Sequence, residues 1–198
     1  MRGNTRLTLR ISTTMLKALL KHKFSASLFF GSFALIHLLW EYFNGGVVTH
    51  HLLARADLPG ISNWWGLLTI PVLVWITLTR IEVRRKKSSL STPDFSGQVI
   101  RGFLGGLIYG LFLAMLWEFG METYMPYALL LPLGLALVFP VYRAECLLGF
   151  VLGMTYTFGG VLPLLIGPVL LLGGVVIFKG VRMLYLRLSE QFRSNKST

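Results

Sequence analysis

Long apolar runs separated by short polar segments dominate this chain. Six runs of this kind are present, at about residues 24–43, 62–79, 99–121, 126–142, 145–161 and 163–181. Each reaches the roughly 17–25 residues that cross a bilayer as a helix. Gly and Pro lie between the last four runs, so their division is the least well defined. The pattern predicts an all-α integral membrane protein with about six transmembrane helices.

Glycines recur every four residues within two of these runs. Gly102, Gly106 and Gly110 do so in the third run, and Gly149 and Gly153 in the fifth. Small residues at this spacing let helix backbones approach closely in lipid. We therefore expect these two runs to contain tight helix packing faces.

The segments outside the runs are basic. Residues 1–23 carry six Lys and Arg, no acid, and interleaved Leu and Ile, a pattern that favours an amphipathic helix on the cytoplasmic surface. A cleaved signal peptide is the rival interpretation, and the long basic lead argues against it. The chain thus divides into a cytoplasmic segment 1–23, a transmembrane domain 24–181 and a basic cytoplasmic tail 182–198.

Charge and composition support this division. Hydrophobic residues make up 54% of the 198 positions and charged residues 14%, against about 25% charged in soluble domains. The net charge of +11 comes from clusters before residue 24, at 80–87 and from Lys179 onward, as expected for cytoplasmic segments. Both termini are therefore predicted to be cytoplasmic, in a bacterial inner membrane. This placement beside apolar runs also argues against a nucleic-acid partner.

This orientation gathers most of the scarce ionisable residues at the outer face: His37, Glu41, His50, His51, Asp57, Glu118 and Glu122. His37 and Glu41 are four residues apart and so share one helix face, as do Glu118 and Glu122. His37 lies roughly 9 Å inside the end of its run at 1.5 Å per residue. A charged side chain there costs at least about 2.5–3.5 kcal/mol, so we expect a polar pocket that opens at the outer leaflet.

Histidine nitrogens and carboxylate oxygens are the usual ligands of zinc, non-haem iron and manganese. The predicted ligands of a divalent metal are His37, Glu41, His50, His51 and Glu118. The metal would activate a water, and Glu122 or Asp57 would act as the general base or support the ligands. No HExxH or Glu-x-x-His motif is present. The leading hypothesis is a metal-dependent membrane enzyme, such as a hydrolase.

Aromatic and small polar residues surround this position and predict a pocket for a lipid or other hydrophobic substrate. The predicted pocket residues are Trp40, Ser62, Asn63, Trp64, Trp65, Trp117 and Tyr156. Tryptophan is enriched at headgroup depth, where an amphipathic substrate would bind. Helix capping by Ser62 or Asn63 and an ordinary interfacial belt of Trp are the simpler explanation of residues 62–65.

Three alternatives remain open from the sequence. The polar residues could form a structural hydrogen-bond network. They could instead carry protons or cations in a small transporter, with His37, Glu41 and Glu118 as carriers, although the inner halves of the runs lack ionisable groups apart from Arg101. The chain could also be a non-enzymatic membrane subunit or assembly factor that binds a membrane protein partner through loop 44–61.

Glu41 and the Ser62-Asn63 pair, placed near an outer mouth, are similar to features of the intramembrane zinc amidases related to alkaline ceramidase. Those proteins have seven spans and a late HxxxH motif, whereas no histidine follows His51 in this sequence. We therefore assign no family and transfer no residue role from it.

Overall fold

The computed structural model describes residues 2–51, 57 and 59–194. It is 82% helical, which confirms the all-α class. The helices of this part of the chain are α1 (Arg2–Lys21), α2 (Lys23–Phe43), α3 (Gly66–Lys86), α4 (Thr92–Glu118), α5 (Met125–Leu135), α6 (Ala144–Phe158) and α7 (Val161–Ser194). Short 3₁₀ turns at Asn63–Trp65 and Glu122–Tyr124 precede α3 and α5, and a small hairpin joins β1 (Thr49–His51) to β2 (Gly60–Ser62).

Four of the described helices are long and apolar enough to cross a membrane, in agreement with the predicted membrane protein. They are Lys23–Phe43, Asn63–Lys86, Thr92–Glu118 and Val161–Val181. α6 is apolar but has 15 residues, and α5 has 11. The predicted run 126–142 is thus helical only in its first part. Pro140 lacks an N–H group and disfavours helical geometry at Phe139, which accounts for the early end of α5.

Other helix boundaries also differ from those predicted by hydropathy. α4 begins at Thr92 instead of residue 99, because Ser91 accepts a hydrogen bond from the Asp94 N–H at 3.4 Å and Pro93 suits the first turn. α7 continues to Ser194, beyond the predicted end at residue 181. Helical geometry tolerates Lys and Arg, so a fall in hydropathy does not end a helix.

Contacts at the helix ends show how the helices run relative to one another. α2 and α3 are antiparallel, since Lys23 pairs with Glu82 at one end and Glu41 meets Asn63 at the other. α4 and α6 are parallel, with Gly102 beside Glu145 and Glu118 bonded to Thr157. Arg84 of α3 pairs with Glu145 at the start of α6. The bundle therefore has a Glu41 end (Glu41, Asn63, Glu118, Thr157) and a Glu145 end (Lys23, Glu82, Arg84, Glu145).

Glycines bring α4 and α6 into close backbone contact. A Cβ at Gly106 would lie 2.1 Å from the Cys146 carbonyl oxygen, and one at Gly149 would lie 2.1 Å from that of Phe103. A Cβ at Gly153 would lie 2.6 Å from the Leu107 carbonyl oxygen. Each of these distances is too short for a side chain. The predicted packing role of the four-residue glycine spacing is therefore confirmed at this interface.

The two ends of the bundle are separated by an apolar core. Val74, Leu113 and Val151 are essentially inaccessible to solvent, and Ile70 and Leu73 of α3 are buried with them. At the Glu145 end, α1 adds Leu16 to a second cluster with Ile81 and Phe95. The basic helix α1 thus packs against α3 and α4 at that end of the bundle.

Candidate functional site

Glu41 is buried at the end of α2 and held by two uncharged donors. Its side chain is 7% exposed. The Asn63 Nδ2 donates to Glu41 Oε1 at 2.7 Å, and the Val48 N–H donates to Oε2 at 3.3 Å. Carboxylates retain further lone pairs after accepting two hydrogen bonds. The group is therefore fixed in place yet can still accept a proton or coordinate a cation.

His37 lies one helical turn before Glu41 on the same face, as its spacing predicts. The His37 Nδ1 is 3.7 Å from Glu41 Oε1, so the two form an ion pair only when the imidazole is protonated. The His37 ring meets the Tyr156 ring edge-on, with centroids 5.6 Å apart. Tyr156 also lies beside Trp40, at 6.3 Å between ring centroids. We call His37, Glu41, Asn63 and Tyr156 the Glu41 site.

Asn63 is the residue that joins the separate parts of this site. It is 5% exposed, and its own N–H donates to the Val48 carbonyl at 3.1 Å. Gly159, in the turn between α6 and α7, has a φ of +66°, and a Cβ there would lie 1.8 Å from the Asn63 Oδ1. Only glycine fits at this position. Gly159 is a supporting residue that our sequence analysis missed, and the Gly159-Gly160 pair near the end of the fifth apolar run was the available signal.

The hairpin of β1 and β2 sits directly on the Glu41 site. Thr49 pairs with Ser62, His50 with Ile61, and His51 with Gly60. The backbone of His50 and His51 is thus two to three residues from Val48, which binds Glu41. The side chains of both histidines lie outside the described part of the chain, as do residues 52–56 and 58 of predicted partner loop 44–61.

The predicted carboxylates outside α2 are exposed. Glu118 is exposed at the end of α4 and accepts a hydrogen bond from Thr157 Oγ1 at 3.2 Å. Thr157 follows Tyr156, so Glu118 is beside the Glu41 site but makes no described ion pair with His37. Glu122 is exposed in the turn before α5, and Asp57 is exposed in the loop between the strands.

The predicted pocket residues divide into two groups. Trp40, Asn63 and Tyr156 lie in or beside the Glu41 site. The Ser62 hydroxyl instead accepts a hydrogen bond from the Trp64 N–H at 3.5 Å, which is the capping role that was the simpler explanation. Trp64 and Trp65 are exposed, and Trp117 packs against Phe158 with ring centroids 5.1 Å apart. The exposed indoles suit the predicted interfacial belt.

A metal centre would need more ligands than the described side chains bring together. Within the described residues, no group of three or more His, Cys, Asp or Glu is close enough to hold a metal ion. His37 and Glu41 supply two ligands of suitable chemistry. The metal site therefore stays a prediction that depends on His50 or His51.

The charge balance at Glu41 is unusual for a buried acid. Among the side chains that the structure describes, no Lys or Arg lies within 4 Å of it. Burial of a carboxylate without a counter-ion is costly, and such groups concentrate at functional sites. The arrangement of a fixed carboxylate beside an imidazole can accept a proton or a cation.

The Glu145 end contains a second buried acid, whose pairing the sequence analysis did not predict. Glu145 is 1% exposed and accepts two hydrogen bonds from Arg84, at 2.7 and 3.1 Å. The Arg84 guanidinium also lies 5.2 Å from the centre of the Phe95 ring.

No protein-family model matches the chain, and comparisons with curated proteins and with solved structures found no match either.

Proposed function

We propose that the Glu41 site is the reaction centre of a membrane-embedded enzyme that acts on a lipid or other hydrophobic substrate. The observation that carries this proposal is the buried Glu41 carboxylate, held by the uncharged Asn63 and Val48 donors beside a titratable His37. A carboxylate needed only for stability gains more from a fixed cationic partner than from neutral donors. Intramembrane acids that lack such a partner typically mark a site of chemistry or ion binding.

The His37–Glu41 pair supports general acid–base chemistry. A carboxylate beside one imidazole nitrogen orients the ring and stabilises its protonated form. The Nδ1 of His37 faces Glu41, which leaves Nε2 to take a proton from a water or a substrate hydroxyl. The edge-on contact with Tyr156 restrains rotation of the ring.

A divalent metal at this site is our proposed cofactor. Zinc, iron or manganese bound by His37 and Glu41, with His50 or His51 and Glu118 as further ligands, would lower the pKa of a bound water. His50 and His51 of β1 follow Val48 by two and three positions, and the Val48 N–H donates directly to Glu41. Glu122 and Asp57 are less suitable as catalytic bases, since both are exposed.

The surroundings of the site suit an amphipathic substrate. Trp40 and Tyr156 pack beside His37, and both are exposed on their outer faces. Phe43, Trp64 and Trp65 present further exposed aromatic surface at the same end of the bundle. Aromatic residues are enriched at headgroup depth, so the scissile group of a lipid would lie near the level of Glu41.

We further infer six membrane crossings with both termini at the cytoplasmic side, in a bacterial inner membrane. This arrangement, with the Glu145 end inside, is supported by the helix directions: α2, α3 and α4 alternate, and α6 is parallel to α4, as expected if α5 crosses between them. α5 and α6 span roughly 16 and 22 Å at 1.5 Å per residue, less than the roughly 30 Å of hydrocarbon. Residues 136–141 extend α5 through hydrogen-bonded turns, which satisfies backbone groups in lipid.

Partner binding is a second candidate function, favoured by one observation. The hairpin of β1 and β2 is fixed to the bundle by Val48 and Asn63, so it could present loop 44–61 to a membrane protein partner.

The transporter alternative has less support. Ile70, Leu73 and Val74 of α3 are buried apolar residues between Asn63 and Thr77, and they interrupt any polar path along that helix.

Metal content of the detergent-purified protein tests the cofactor. We expect about one equivalent of zinc, iron or manganese in the wild type by mass spectrometry, and its loss in His37→Ala and Glu41→Gln. Glu82→Gln, at the opposite end of the bundle, is the matched control. No stoichiometric metal after supplementation would contradict a metal centre. His50→Ala and His51→Ala then identify the third ligand.

Lipid turnover tests the enzyme itself. Wild-type protein in vesicles of bacterial lipid extract should release products detectable by mass spectrometry, and His37→Ala and Glu41→Gln should abolish this release. Arg55 lies outside the described residues, so Arg55→Gln is included to test whether Glu41 depends on it. Turnover by Glu41→Gln at the wild-type rate would refute the proposed reaction centre.

A co-purification experiment tests the binding function. One partner that co-purifies with the wild type and with His37→Ala, but not with a variant that lacks residues 47–60, would favour it.

A further inference from the structure

A second pocket lies at the Glu145 end, between α4, α5, α6 and α7. Its volume is about 620 Å³, within the roughly 300–1,000 Å³ typical of ligand sites. Most of its wall is apolar or aromatic, including Tyr109, Leu135, Phe139, Phe150, Leu170 and Leu171. Tyr109 and Phe150 are stacked, with ring centroids 5.6 Å apart. We call this space the Glu145-end cavity.

Glycines on α4 keep the Glu145-end cavity open. Gly102, Gly105 and Gly106 all line it. A Cβ at Gly105 would have no atom within 4 Å, so this position faces empty space, unlike Gly106, which contacts the α6 backbone. Gly105 and the neighbouring Arg101 are exposed, and the cavity is therefore accessible along this flank of α4.

One end of the Glu145-end cavity is polar and positively charged. Arg101, Arg143 and Gln98 line it there, and Arg143 Nη1 donates to Gln98 Oε1 at 3.1 Å. The Arg101 Nη1 lies 3.4 Å from the position that a Cβ would take at Gly97, so its guanidinium extends towards the start of α4.

Neither of these two arginines has an ion-pair partner among the described side chains. No acid within the described ranges lies within 4 Å of either guanidinium. Glu145, adjacent in sequence to Cys146 of the cavity wall, is already bonded twice to Arg84. Two arginines thus line an otherwise largely apolar space, and a ligand that is anionic at one end would complement both parts.

We propose that the Glu145-end cavity binds an anionic phospholipid, with its phosphate between Arg101 and Arg143 and one acyl chain along Tyr109, Phe150 and Leu170. Guanidinium groups match phosphate oxygens in geometry and charge. Basic pockets between membrane helices bind lipid headgroups on the cytoplasmic side, where the basic clusters of this chain place this end. The site is at the opposite end from Glu41 and does not rest on the proposed enzymatic function.

Lipid binding by the full-length, delipidated protein in detergent tests this site. Native mass spectrometry with added phosphatidylglycerol or phosphatidylcholine should show about tenfold preference for phosphatidylglycerol, because both lipids carry a phosphate but the choline cation of phosphatidylcholine would be repelled by the two arginines. Arg101→Gln should remove most of this preference. Equal retention of the two lipids by the wild type would overturn the proposal.

A matched pair of glycine variants tests the acyl-chain position. Gly105→Leu fills the cavity and should reduce retention of both lipids. Gly134→Leu on α5 is the control, since a Cβ at Gly134 also meets no atom within 4 Å and Gly134 does not line the cavity. Similar retention by the two variants would contradict the acyl-chain position. If Gly105→Leu does not fold by circular dichroism, the exposed Arg101→Gln decides the proposal.

Inorganic phosphate separates a lipid site from a simple anion site. At millimolar concentration it should not displace phosphatidylglycerol, because the acyl chain contributes much of the binding. Complete displacement by phosphate would show that the arginines bind free anions, and the lipid proposal would then be wrong.

Discussion

Glu41 and Glu145 are both buried acids near the ends of the same bundle, yet their partners differ in kind. Glu145 receives two hydrogen bonds from one guanidinium, and that guanidinium in turn lies over the ring of Phe95. Glu41 receives its two hydrogen bonds from an amide side chain and a backbone N–H, with His37 3.7 Å away.

This difference separates a group that holds the fold together from one available for chemistry. The Arg84–Glu145 pair ties α3 to α6, and its carboxylate already has a cationic partner. Glu41 has no Lys or Arg partner among the described side chains, and a metal ion could supply the missing positive charge. The comparison predicts that removing the Glu145 charge lowers the free energy of unfolding. Removing the Glu41 charge should leave the free energy of unfolding nearly unchanged but abolish lipid turnover.

The largest effect should come from Glu145→Gln. It removes the charge that compensates Arg84, and breaking a buried ion pair in this way costs about 3–5 kcal/mol. We expect a marked fall in the free energy of unfolding, measured by denaturant titration in mixed micelles. Because Arg84 is partly exposed, the cost should lie towards the lower end of that range. An unchanged unfolding midpoint would show that the pair is not structural.

Asn63→Ala should have the next largest effect. The substitution leaves Glu41 Oε1 without its 2.7 Å donor and opens space beside Gly159, and an unsatisfied buried acceptor costs about 1–3 kcal/mol. The same unfolding titration measures it. Asn63→Asp is the informative companion, since it places a second acid beside Glu41. This variant should be more stable at low pH than at high pH, and a flat pH response would contradict the contact.

Glu41→Gln should change stability least among the buried positions. Its amide oxygen can keep the bond from Asn63 while the buried charge disappears, so we expect a change within about 1 kcal/mol of wild type, the net value of a typical hydrogen bond. Lipid turnover should nevertheless be lost. A stability loss as large as that of Glu145→Gln would erase the distinction between the two acids.

Glu82→Ala provides the baseline for surface charge pairs at the Glu145 end. Glu82 pairs with Lys23 and Lys86, but its side chain is 34% exposed. Exposed pairs contribute about 0–1 kcal/mol, so the free energy of unfolding should hardly change. A loss of several kcal/mol would indicate that α2 depends on this contact, and the effect of Glu145→Gln would need to be judged against it.

The sequence by itself determined the features that depend on neighbouring residues. Run length and hydropathy identified four helices that are long and apolar enough to cross a membrane, because burial in lipid acts on each segment separately. The four-residue spacing placed His37 and Glu41 on one face and predicted glycine packing on α4 and α6, because helical periodicity is local. The early end of α5 at Leu135 was also encoded locally, by Pro140, but a hydropathy average does not register a single proline.

Only the tertiary structure decided which distant residues meet. Asn63 bonds to Glu41 across 22 positions, and Arg84 bonds to Glu145 across 61. The parallel packing of α4 and α6 places Glu118 beside Thr157, and a cavity lies between α4, α5, α6 and α7. The composition of these apolar runs is too similar to show which helices pack together. The fit between helix surfaces selects the neighbours of each helix and the register of their contact. The choice between two buried acids, one paired and one available, therefore appears first in three dimensions.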